Sequence, residues 1–135
     1  MRRLLSSKYS AGAVNTALLI LRLGFGILIL MHGFGKITNF NSLQNKFMNF
    51  MGLGSTVSLV LIIFAEFFCA ILLIMGLFTR FACIPLIIAM SVALFMVNDG
   101  DVFGKGEAAA LYLFGFVAIL LTGPGSVSLD RMIGK

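Results

Sequence analysis

Charge is what this chain has least of. Only 11% of its 135 residues are Asp, Glu, Lys or Arg, 60% are hydrophobic, and the mean hydropathy is +1.09. A water-soluble domain of this length could not hide that much apolar surface in one core, which excludes soluble enzymes and binding modules. A single histidine, His32, and two cysteines, Cys69 and Cys83, lie outside any CxxC or metal-ligand spacing, so no metal, haem or iron–sulfur site is expected. The cysteines read as small packing residues, offset in depth by roughly 9 Å and therefore not joined. Gly33-Phe34-Gly35-Lys36 lacks the spacing of a phosphate loop and any preceding strand, which sets nucleotide binding aside. The eight methionines are scattered and read as gap-fillers rather than copper ligands. Broken helices and duplicated halves of the kind found in transporters are also missing.

What is present is a series of four apolar windows, residues 14–34, 55–77, 81–97 and 108–122. A membrane crossing needs about 17 to 25 such residues, so the last window is short. The pattern predicts an all-α integral membrane protein, a four-transmembrane-helix antiparallel bundle forming a single domain over residues 1–135. The basic start, residues 1–8, precedes an apolar run too long for a signal peptide, and no A-x-A cleavage site closes it. Outside the windows six basic residues fall on one side (Arg2, Arg3, Lys8, Arg80, Arg131, Lys135) and three on the other (Lys36, Lys46, Lys105). The excess predicts that both termini are cytoplasmic and assigns the positive charge to membrane orientation, not nucleic acid.

The connections carry their own signals. In the long outer connection, residues 37–54, Phe40, Leu43, Phe47, Phe50 and Met51 recur at three- and four-residue steps, predicting a short amphipathic helix on the membrane surface that could roof the bundle. The turn Phe78-Thr79-Arg80 is short enough to force an antiparallel hairpin between the second and third spans. Residues 98–107 gather Asp99, Asp101 and Glu107 among glycines, with Lys105 opposing them. Gly123-Pro124-Gly125 ends the last span, and Ser128 and Asp130 are placed to cap a final turn.

Two charges inside the apolar windows, Arg22 and Glu66, narrow the function most, because each costs roughly 2.5 to 3.5 kcal/mol near a bilayer centre. Counting from the helix ends puts them at depths of roughly 13 and 16 Å, which predicts an Arg22–Glu66 ion pair between the first two helices. A structural clamp and the wall of a ligand or proton site are both open readings of it. A second set, His32, Lys36, Asn98, Asp99 and Glu107, falls at similar heights near the outer surface. It reads either as a wet rim or as groups exchanging protons beside a quinone head group. Gly24, Gly26 and Gly76 are expected to let helices approach closely.

Taken in order, Arg22, His32-Gly33, Lys36, Glu66, Gly76-Leu77-Phe78-Thr79-Arg80 and Gly123-Pro124-Gly125-Ser126-Val127-Ser128-Leu129-Asp130 resemble the DoxX family across nearly the whole chain. The resemblance implies a four-helix protein of the bacterial cytoplasmic membrane, related to small subunits of thiosulfate:quinone oxidoreductase. Members often carry a histidine near the outer end of the third helix, where this chain reads Val97-Asn98-Asp99; Asn98 or Asp99 would have to take that role. The implied function is a redox-associated membrane subunit with no tightly bound cofactor, meeting quinone or a similar amphiphile inside the bilayer. A different class of function is a non-catalytic partner that docks a soluble redox enzyme through Arg80, Asp130, Arg131 and Lys135. A small homo-oligomeric transporter ranks last.

Overall fold

The computed structural model describes residues 4–134; Arg2, Arg3 and Lys135 lie outside the described residues. Every regular element within that range is helical. Helix α1 runs over Ala11–Thr38, its first turn capped by the Ser10 hydroxyl, which accepts from the Ala13 amide. A single turn, α2, covers Phe40–Leu43. Helix α3 spans Ser55–Met75 and α4 spans Thr79–Val97, α5 spans Glu107–Thr122, and a last turn, α6, covers Leu129–Met132. Three of these, α1, α3 and α4, are long and apolar enough to cross a membrane; α5 is apolar but has 16 residues.

The expected windows correspond to these helices with shifted ends. Helix α1 starts earlier and ends later than 14–34, and Thr79 and Arg80, expected in the turn, already belong to α4. The reversal between α3 and α4 is made instead by Gly76, at φ 71°, and Phe78, at φ 48°. Gly76 adopts the left-handed dihedral without strain because it has no Cβ, and a Cβ there would also lie 2.5 Å from the Ser128 Cβ.

Helices α1 and α3 are antiparallel. Arg22 reaches Leu73 and Ile74, Gly26 faces Ile74, and Gly33 and Lys36 face Glu66, so positions ascending one helix meet positions descending the other. Helix α5 packs on α4 and α1, with Gly115 accommodating the Phe25 ring. Fully buried Leu73, Leu86, Phe116 and Ile119, with Cys69 and Cys83, form the core between these helices. Both cysteines are free thiols. A lipid-facing exterior accounts for the exposed Phe64, Phe68, Phe95 and Phe114.

The surface helix expected across residues 40–51 shortens to α2 and a following turn in which Phe47 donates to Leu43. Beyond it, local side-chain bonds replace helix. The Asn49 Oδ1 accepts from the Gly54 amide, and the Ser58 hydroxyl accepts from the Phe50 amide. Such bonds compete with helical pairing for the same backbone groups. The segment still covers α3 and α4. Phe47, Met48 and Phe50 close an apolar cavity of about 260 Å³ whose floor includes Ile62, Pro85 and Ala89.

Candidate functional site

Each intramembrane charge is buried, Arg22 to 2% and Glu66 to 4% exposure, but they do not pair with one another. Arg22 donates from Nε to the Leu73 carbonyl at 3.1 Å and from Nη2 to Ile74 at 3.0 Å. Its Nη1 serves Pro124 at 3.0 Å and Val127 at 2.5 Å. These carbonyls belong to the last turn of α3, where helical pairing runs out and Leu73 also accepts the Gly76 amide at 3.1 Å, and to the loop after α5. Asp130 adds electrostatic attraction. The same carboxylate accepts the Phe78 and Thr79 amides at 2.8 and 2.9 Å, capping α4, the longer helix, not the final turn expected from the sequence. Ser128 does cap that turn, accepting from the Arg131 amide at 3.2 Å. The Asp130 amide closes the knot on the Gly76 carbonyl at 2.9 Å. Arg22, the Gly76 turn and the stretch from Pro124 to Asp130 thus form one polar joint.

Glu66 is paired with Lys36, Nζ to Oε1 2.5 Å, the one ion pair among the described residues. The difference from the expected pairing follows from helix geometry. Side chains lean toward the N-terminus of their own helix. Arg22 therefore leans toward the end bearing the termini, Glu66 on antiparallel α3 leans the opposite way, and Lys36 leans back down α1 to meet it. Comparing Cα heights alone hid this divergence; adding the lean would have selected Lys36 from the sequence.

Glu66 stands in a π-helical stretch, Phe64–Cys69. A π-turn widens the helix and offsets its hydrogen-bond ladder, and such bulges recur at functional positions. Helix α1 comes close here. A Cβ on Gly33 would lie 2.8–2.9 Å from the Glu66 carbonyl group and the Phe67 nitrogen. Gly26 makes a similar approach to Ile74, whereas Gly24, also expected at a close contact, has nothing within 4 Å. Tyr112 on α5 is half-buried and within electrostatic reach of Glu66. It meets the His32 ring edge-on at 5.9 Å and stacks on Phe116 at 6.0 Å. The result is a buried carboxylate, a quarter-exposed ammonium, an imidazole and an aromatic wall on three helices. Chemically it can bind a polar head group by donation from Lys36 and hold a proton at Glu66.

The remaining members of the outer set do not join it. Among the described residues no hydrogen bond or ion pair links His32, Asn98, Asp99 or Glu107 to one another. The Asn98 amide group donates to the Ala93 carbonyl at 2.8 Å and finishes the π-helical end of α4, Ala93–Val97. Asp99 is exposed at φ 53° in a turn, and Glu107 is exposed at the first position of α5, where its charge suits the helix dipole. Arg80 and Arg131 are exposed at the opposite end, beside the Gly123-Pro124-Gly125 loop. Residues that could hold a metal ion are not grouped anywhere in the described range.

The inner membrane protein YqjF of Escherichia coli strain K12 is 27% identical over 127 residues, covering 90% of this chain and 95% of its own length. No solved structure matches. Residues 17–99, from the second turn of α1 through Lys36, Glu66 and the Gly76 turn to just past the end of α4, match the DoxX family, and the chain belongs to that family.

Proposed function

We propose that this DoxX protein is a four-helix antiparallel bundle of the bacterial inner membrane, with both termini cytoplasmic, that binds an amphiphile of the quinone class beside Lys36 and Glu66. The observation that carries the reading is Glu66 itself, a carboxylate 4% exposed in a π-turn with a lysine as its partner. A charge pair held only for stability would be replaceable by apolar packing of similar volume, and an ionisable intramembrane residue whose partner is another ionisable side chain is a candidate functional site.

The residues suit a carbonyl-bearing head group. Lys36 can turn a donor from Glu66 to a ligand oxygen, Glu66 can receive or return a proton, and the rings of Tyr112 and Phe116 offer a flat apolar wall. The apolar cavity under Phe47 and Phe50 begins at Phe64 and Ala65, the neighbours of Glu66 on the same π stretch, and provides space for a hydrocarbon portion. A bound quinone would supply two-electron, two-proton redox chemistry. The protein's part is to position the head group and manage its protons, with electrons coming from a reduced partner or substrate.

The test is solvent extraction and mass spectrometry of protein purified in mild detergent, as wild type, Glu66→Gln and Lys36→Met. A substoichiometric quinone in the wild type that is absent from both variants, with melting temperatures close to wild type, is expected. An empty wild type, or variants that retain the quinone, would overturn the proposal.

A further inference from the structure

We propose a second site, for the phosphate head group of an anionic lipid, in the groove between the start of α4 and the loop after α5. The groove encloses about 420 Å³ and is lined by Phe78, Thr79, Arg80 and Phe81 on one side and by Gly123, Asp130 and Arg131 on the other. Arg80 lies close to the loop, its Nη2 3.2 Å from where a Cβ on Gly123 would sit. Neither Arg80 nor Arg131 has a side-chain hydrogen bond or ion pair among the described residues, and both are exposed. Asp130 forms no ion pair with either among the described residues. Its carboxylate accepts the Phe78 and Thr79 amides and faces Arg22, so the two guanidiniums at the mouth have no ion-pair partner among the described residues.

A second, independent observation points to a ligand. Thr79 is fully buried, and its Oγ1 is the buried side-chain oxygen among the described residues with no hydrogen-bond partner. A hydroxyl left so at a groove wall is costly unless something completes it. An anionic phosphate supplies acceptors for that hydroxyl and for both guanidinium forks, a geometry arginine favours over lysine. The flanking side chains argue for a lipid over a free anion. Phe78 and Phe81 are 47% and 69% exposed at the end of a helix long enough to cross the membrane, the level at which aromatic rings meet head groups.

The experiment is native mass spectrometry of the intact detergent-solubilised protein with phosphatidylglycerol or phosphatidylcholine added, and with inorganic phosphate as competitor. Phosphatidylglycerol should be retained preferentially. Retention should fall about fivefold for each arginine removed in Arg80→Gln and Arg131→Gln, the usual weight of one basic residue at an anionic surface. Thr79→Val should weaken retention without lowering the melting temperature. Should the double glutamine variant fold poorly, Arg80→Lys with Arg131→Lys keeps the charge and should still bind less tightly. Equal retention of both lipids, unchanged retention in the arginine variants, or full displacement by inorganic phosphate would each overturn the proposal. So would arginine variants that keep the lipid but lose a co-purifying soluble protein.

Discussion

A guanidinium has five N–H donors fixed in one plane, and Arg22 places contacts on four carbonyls from two separated stretches of chain. Its charge is thereby spread over backbone dipoles inside the bilayer, with Asp130 as the balancing anion. Removing it takes a donor from each of those carbonyls and the facing cation from Asp130. Arg22→Leu is therefore expected to cost roughly 3 to 5 kcal/mol, read as a large drop in melting temperature in detergent. Arg22→Lys should recover little of this, because an ammonium cannot reach four divergent acceptors. A lysine variant as stable as wild type would show that charge alone, not the fork, holds the joint. Glu66→Gln should cost less, since the ion-pair partner of Glu66 is a lysine already a quarter exposed.

At the level of elements, the π stretch Phe64–Cys69 and the α1 surface facing it are a matched pair. Gly33 fits against the widened turn with no room for a methyl group, whereas Gly24 faces open space. Gly33→Ala should force α1 from α3, lowering the melting temperature by several degrees and loosening the Lys36–Glu66 contact; Gly24→Ala should leave both unchanged. Indistinguishable melting curves for the two would remove the close approach from the account. Helix placement was legible in the sequence, because runs of apolar residues ended by Gly and Pro leave few alternatives: the ends at Val97 and Thr122 fall where they were expected. The π-turns were not legible, since nothing in Phe64-Ala65-Glu66-Phe67-Phe68-Cys69 departs from an ordinary apolar helix. Partner choice was legible only in part. The residue types were right for burial, while the lean of each side chain, which separates Arg22 from Glu66, does not show in a count of residues. The Asp130 cap on α4 joins positions about fifty apart in sequence, which local capping patterns do not register.

For the whole molecule, polar chemistry is segregated to two ends. One holds Arg22, Asp130, Arg80 and Arg131; the other holds Lys36, Glu66 and His32. The first end also carries Lys8, in the exposed segment before α1, and basic excess on one side is what orients a membrane protein. A fluorescent reporter that matures only in the cytoplasm, fused after Lys135, should therefore light up, and one inserted between Lys46 and Phe47 should stay dark. The opposite pattern would invert the proposed orientation and move the Lys36–Glu66 site to the cytoplasmic leaflet.

The joint at Arg22 also sets an order of events during synthesis. Arg22 is made first, its acceptors on Leu73 and Ile74 follow some fifty residues later, and those on Pro124 and Val127 come about fifty residues after that. Until then a cation in helix α1 waits with its donors incompletely matched, and the match is completed only when the loop after α5 swings in.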